Sequence, residues 1–336
     1  MATWNSGLKR DGPGLLLRDL LRGKDAQIAA AIALIERVDA DVLLLLNFDY
    51  DLENQAARAL VGLMSGKTPR YPFVFSFAPN TGMPSGVDVN ADGYFGDAVD
   101  AQGHGRFPGQ GGMVVLSRWP ILAQEAVDYS RLLWSQAPAS LMSETEAARM
   151  GSVLRLSSVG HWQVPVQTPV GRVNILAWHA STPVFDGPED RNGRRNADEN
   201  LFWLHLLSGA LPAPPIEMPF VLMGSANLDP EDGEGRQEAI VRLLGDPRLV
   251  DPRPRTGPDE QGPQGVSAGH LGDPSLDTAD WSEERGPGNL RVQYLLPSVD
   301  WQIVDTGIAW PAPEGSRRDD TTSLSRHGMV WADLSR

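Results

Sequence analysis

The chain of 336 residues is 41% hydrophobic, enough for a sizeable core, yet no stretch approaches the ~18 consecutive apolar residues of a membrane span. Its 29 basic residues against 43 acidic ones leave a formal net charge of -14, which repels phosphate backbones and disfavours DNA or RNA as a partner. Cysteine is absent, which excludes disulfides and thiolate metal sites.

The opening "MATWNSGLKR" has no charged region followed by an apolar one. It therefore reads as cytoplasmic, with a periplasmic or secreted location only if a leader has been removed. In "DAQIAAAIALIERV", Ile28, Ile32 and Ile35 recur at helical spacing behind an N-cap at Asp25, and "DVLLLLNF" follows as a strand buried on both faces. A helix is expected near 52–64, then strands at 112–117, 152–158 and 172–178 and a helix at 195–208. A strand at 219–224, a helix at 234–244 and strands at 290–297 and 328–334 complete the series. Several strands succeed one another without a helix between them, which predicts two packed mixed sheets with outer helices. Residues 79–112 and 253–289 carry no periodicity and read as long loop insertions. No segment separates two cores, so 1–336 is read as one domain.

Polar residues punctuate the strand ends: Asn5, Asn47, His179, Ser225, Asn227, Gln293 and His327. Their order and spacing resemble the endonuclease/exonuclease/phosphatase superfamily, which includes DNase I-like nucleases, sphingomyelinases and inositol phosphatases. Within it, "GPGLLLRDLLRG", "DGPEDRNGRRN", "DTADW" and "GPGNLRVQYLLPS" resemble a bacterial branch. The resemblance implies a four-layered α/β/β/α sandwich, an α/β fold of DNase I type, with a cleft where both sheets present their strand ends. It also implies a divalent cation held by an Asn and a carboxylate, an Asp-x-Asn pair that positions water, and two histidines, the second supported by a carboxylate.

The sequence departs from that pattern at every acidic role. Asn47 stands where the cation carboxylate falls, Ser225 replaces the water-orienting aspartate, Gln293 stands where the branch shows aspartate, and Arg326 precedes His327. Mg²⁺ is normally held by one or two carboxylates, and a guanidinium beside an imidazole disfavours its protonation. The first expectation is thus a degraded metal-dependent phosphoesterase centre with a binding or structural role. In that case the surviving Asn5, His179, Asn227 and His327 grip a small anionic or polar ligand or hold the strand ends together. An alternative is an active phosphoester hydrolase that re-sites its Mg²⁺ or Mn²⁺ on Asp49, which alternation would aim to the same side as Asn47. A third is a scaffold that meets a protein partner through its acidic surface.

Two further constellations invite chemistry. "VDVNADGYFGD" sets Asp88, Asn90 and Asp92 ahead of Gly93 in the manner of a calcium loop, with Asp97 or Asp100 able to close the shell around a structural Ca²⁺. Arg191, Arg194 and Arg195 near a helix start offer an anion clamp, against the reading that they pair with Asp186, Glu189 and Asp190. Arg118 is a candidate to approach the cleft or to lie at the surface. His161 reads as a supporting residue, and His104, His205 and His270 as loop or helix-surface residues.

Overall fold

The computed structural model describes residues 1–64, 66, 68–260, 262, 269–281, 286–311 and 325–336. The expected insertion at 253–289 therefore lies partly outside the described residues. Thirteen strands and six α-helices are found among the described ones. The strands are β1 (Ala2–Asn5), β2 (Val42–Phe48), β3 (Phe73–Phe75), β4 (Gly112–Ser117), β5 (Val127–Asp128), β6 (Gly160–Thr168), β7 (Gly171–His179), β8 (Phe220–Ser225), β9 (Ala279–Asp280), β10 (Asn289–Leu290), β11 (Gln293–Pro297), β12 (Gln302–Ala309) and β13 (Met329–Ser335). The helices are α1 (Leu15–Arg22), α2 (Ala26–Val38), α3 (Gln55–Leu63), α4 (Glu144–Met150), α5 (Arg191–Leu207) and α6 (Glu238–Leu244).

One sheet runs β12-β13-β1-β2-β4-β3 and the other β11-β8-β7-β6-β5, with β9 and β10 forming a separate ribbon. Each large sheet holds one parallel pair, β1 with β2 and β7 with β8, among antiparallel neighbours. Strand alternation then divides the core into three apolar layers. Val42, Leu44 and Leu46 of β2 meet Ile175 and Ala177 of β7 and Val221 and Met223 of β8 between the sheets. Leu43 and Leu45 turn the other way, onto Ile28, Ile35 and Leu60 of α2 and α3. Leu176 and Trp178 likewise turn outward onto Phe202 and Trp203 of α5 and Ile240 of α6. Helices outside two facing sheets make the α/β/β/α order, and the continuous apolar run of β2 follows from its having no solvent face.

The Asp25 cap is in place, its carboxylate accepting from the Ile28 N–H at 3.0 Å. The strand expected at 152–158 is absent. It is replaced by turns, and the strand begins at Gly160. Pro165 inside "GHWQVPVQT" lies beyond the reach of β5, which pairs with Trp162 and Gln163, and its carbonyl accepts from the Leu122 N–H at 2.9 Å. The run 290–297 is two strands, since Leu290 belongs to the ribbon and only Gln293 onward joins the sheet. Helix α5 starts at Arg191, before any apolar periodicity. Its buried face there is polar: Asn196 donates to the carbonyls of Ser181 (2.6 Å) and Ala226 (2.8 Å), and Asn200 to that of Ala226 (3.1 Å).

The insertion at 79–112 is tied down by side-chain amides in place of regular structure. Asn80 Nδ2 donates to the Ser130 and Ser157 carbonyls, both at 2.8 Å, and Gln102 Nε2 to the Val153 carbonyl at 2.9 Å. Among the described residues no helix is long and apolar enough to cross a membrane.

Candidate functional site

Because β1 and β2 are parallel, and β7 and β8 likewise, all four strands end at the same rim of the sandwich, where β4, β11 and β13 begin. That rim brings Asn5, Asn47, His179, Asn227 and His327 to one cleft of about 680 Å³. The carboxyl ends of parallel strands are where such folds open a crevice. Ser225 and Gln293 lie beneath the floor, fully buried.

The neutral residues at the replaced positions are built into the backbone. Gln293 reaches from β11 to the opposite sheet: its Oε1 accepts from the Asn5 N–H at 2.5 Å and its Nε2 donates to the Gly328 carbonyl at 2.7 Å. Ser225 Oγ has both Asn227 Oδ1 (3.1 Å) and the Val292 carbonyl (3.2 Å) within reach of its single proton. Asn227 Nδ2 donates to the Ala180 carbonyl at 2.8 Å, so the Asn227 amide is occupied at both ends.

Both histidines are buried and face the cleft, each with an Nδ1 lacking a hydrogen-bond partner among the described residues. Burial, then the charge of Lys9, lowers the His179 pKa to about 4; burial, then His179 and Arg326, lowers that of His327 to about 3. Arg326 thus acts on His327 in the direction opposite to a supporting carboxylate. The edge of the Trp281 ring covers His327, with centroids 5.3 Å apart. Two neutral imidazoles are poor general acids at pH 7. In an NMR titration, both rings are expected to stay neutral from pH 7 down to pH 5, and a ring titrating near the ordinary ~6.5 would contradict this. Because the unfolded chain takes these protons first, each ring contributes stability at neutral pH. That contribution is lost as pH falls from about 6.5 towards the folded values.

Asp49 does not follow the alternation expected of it. The backbone of Asn47 is left-handed (φ 56°) and the pairing of β2 with β4 slips between Leu46 and Phe48, which re-aims the next residues. Asp49 is buried beside the cleft and not in its lining. One oxygen accepts from the Arg10 N–H at 2.8 Å and the other from the Gly111 N–H at 2.9 Å. Burial raises its pKa to about 6 against these bonds.

Of the arginines, Arg194 is turned from the cleft into a bidentate pair with Glu146 (2.7 and 2.9 Å), and so is no anion clamp. Arg191 lines the cleft and donates to the Val89 carbonyl at 2.7 Å. Arg195 spends its buried guanidinium on the carbonyls of Gln102, Arg155, Leu156 and Ser157. Arg118 pairs with Asp39 and Asp41 at the far end of β4, about 20 Å from Gly111 by strand rise.

His161 is enclosed, with Ser157 Oγ at 2.6 Å from Nδ1 and the Glu199 carbonyl at 2.8 Å from Nε2. His104 lines the cleft mouth, and His205 lies on α5, half-buried. The His270 side chain is buried, contrary to a surface reading, 3.4 Å from Asp232 and 3.5 Å from Asp277. Cleft residues that the sequence did not single out include Lys9, Arg106, Ser158 and Ser181. Both serines are held by the buried Glu199 carboxylate, which accepts from their N–H and hydroxyl groups at 2.6–2.7 Å.

A divalent cation of the kind the resemblance implies does not fit these residues. The only carboxylate among the described cleft residues is Asp11, which is paired with Arg106 at 2.8 Å. Among the described residues no cluster of three or more His, Asp or Glu is placed to hold a metal ion. In the loop at 88–100 the carboxylates face amides: Asp88 accepts from the Gly93 N–H (2.9 Å) and Asp92 from the Tyr94 N–H (2.8 Å). Asp97 accepts from the Val99 N–H (2.8 Å), and Asn90 Nδ2 donates to Asp92.

Two facing mixed sheets with outer helices and a polar cleft at the shared strand ends define a DNase I-like sandwich. The chain belongs to the Endonuclease/Exonuclease/phosphatase family, whose sequence profile matches residues 2–327. Solved structures agree on the fold. One is an endonuclease/exonuclease/phosphatase from Beutenbergia cavernae DSM 12333, at 20% identity over 99% of this chain and 70% of that one, with a TM-score of 0.54. Another is a mannosyl-6-phosphatase from Bacteroides thetaiotaomicron VPI-5482, at 11% identity over 100% and 98%, with a TM-score of 0.52. A third is beta toxin from Staphylococcus aureus, at 13% identity over 99% and 98%, with a TM-score of 0.50. No curated protein matches the sequence significantly.

Proposed function

We propose that this family member binds a small anionic or polar ligand in its cleft and does not carry out metal-dependent phosphoester hydrolysis. The observation that carries this reading is the charge of the lining: Lys9, Arg106, Arg191 and Arg195 against the single carboxylate of Asp11, among the described residues. A doubly charged cation entering that lining would meet repulsion without anionic ligands, whereas an anion would meet attraction. The amides and imidazoles supply hydrogen bonds, and imidazoles whose pKa burial has lowered are weak bases towards water. Recruiting Asp49 as an ion ligand would require its carboxylate, which lies outside the cleft lining and is held by the Arg10 and Gly111 N–H groups, to turn towards the cleft, and any N–H left unsatisfied by that turn would cost about 1–3 kcal/mol.

The test is hydrolysis of bis(p-nitrophenyl) phosphate in Mg²⁺, Mn²⁺ or Ca²⁺. The expected result is no turnover above that of the His179→Ala variant. Turnover at ordinary enzyme rates, about 1–10³ s⁻¹, that disappears in His179→Ala would overturn the proposal.

A further inference from the structure

Resting on the reading of a cleft without a metal cation, we propose that the ammonium group of Lys9 is the charge that holds a small oxyanion there. No hydrogen bond or ion pair engages the Lys9 side chain among the described residues, and it lines the cleft. The other cleft cations have partners: Arg106 has Asp11, Arg191 the Val89 carbonyl, and Arg195 four carbonyls. The two imidazoles are neutral and add hydrogen bonds without charge.

The position of Lys9 is fixed by its neighbours. Its own N–H donates to the Gly7 carbonyl at 2.9 Å, and the Leu8 carbonyl accepts from the Asp49 N–H at 3.1 Å. The Arg10 N–H donates to Asp49 at 2.8 Å, and the Arg10 carbonyl accepts from Gln110 at 2.8 Å. The Arg10 guanidinium is anchored to Asp19 and Asp25, both at 3.0 Å. A methyl-sized atom placed on Gly111 would lie 2.7 Å from Asn47 Oδ1 and 3.6 Å from Lys9 Cδ, so the lysine stem runs beside the amide at the replaced carboxylate position. Its field reaches His179, where it opposes protonation. An ammonium is a compact point charge with three donors, suited to one face of a tetrahedral anion.

The experiment measures the affinity of the full chain for inorganic phosphate in excess EDTA, for the wild type, Lys9→Met and Lys9→Arg. Wild type is expected to bind without a metal and Lys9→Met to bind at least about tenfold more weakly at an unchanged melting temperature. Lys9→Arg, which keeps the charge, is expected to retain most of the affinity. In Lys9→Met the His179 ring should also titrate at higher pH than in wild type, because an opposing charge has gone. Equal phosphate affinity in Lys9→Met, or no phosphate binding by any form, overturns the role of Lys9 while leaving the absence of hydrolysis standing. Phosphate binding that appears only on adding Mg²⁺ overturns both.

Discussion

Replacing Arg195 with methionine is expected to destabilise the fold by about 3–5 kcal/mol, the cost of breaking a buried charged network from one side. The guanidinium is nine-tenths buried and joins α5 to two segments distant in sequence, through Gln102 on one side and Arg155, Leu156 and Ser157 on the other. Methionine matches the stem but leaves those carbonyls without donors. It also leaves Glu199, one helical turn on and fully buried, without the positive charge that offsets its desolvation. Urea denaturation gives the value directly. When Arg195→Met is combined with Glu199→Gln, whose amide sets an NH2 group against one serine N–H but removes the uncompensated carboxylate, the two losses should be less than additive. A loss under about 1 kcal/mol for Arg195→Met would mean that the network is not what joins these segments.

The second large effect concerns Gln293, which needs one acceptor and one donor at once. In Gln293→Glu, an ionised carboxylate can still accept from the Asn5 N–H but sets its other oxygen against the Gly328 carbonyl. Protonation turns that oxygen into a donor. The folded protein therefore holds the proton more tightly than the unfolded chain, whose glutamate has a pKa of ~4.3. Stability relative to wild type is accordingly greatest at low pH and lost as pH rises through the folded value. We expect a loss of about 2–4 kcal/mol at pH 8 and a smaller one at pH 5, each against wild type at the same pH. Gln293→Leu should lose a comparable amount with no pH dependence. A Gln293→Glu variant as stable as wild type at pH 8 would show that a negative charge is tolerated at this place.

Much of the fold was legible because its determinants are local. The unbroken apolar run of β2 encodes a strand with no wet face, and Asp25 with the isoleucines behind it encodes α2. The start of β6 at Gly160 is set by its pairing with β7, a tertiary fact that no local pattern carries. The rim residues could be found as polar strand ends, because the ends of parallel strands must gather at one edge. Asp49 was misplaced because alternation fails at the left-handed Asn47. Lys9 was invisible because its position is set by Asp49 and Gln110, residues far along the chain that no spacing rule links to it. His270 looked like a loop residue, and only the approach of Asp232 and Asp277 gives it buried surroundings.

If the cleft binds an anion as proposed, its basic lining and the negative net charge of the chain would together select by size. The formal charge of -14 belongs to the whole chain, so a long polyanion spread across the surface feels net repulsion from most of what it touches. Screening over roughly 8 Å at physiological salt localises the few cations to the hollow itself. An anion small enough to enter would leave most of the outer field behind and feel mainly the charges of the lining.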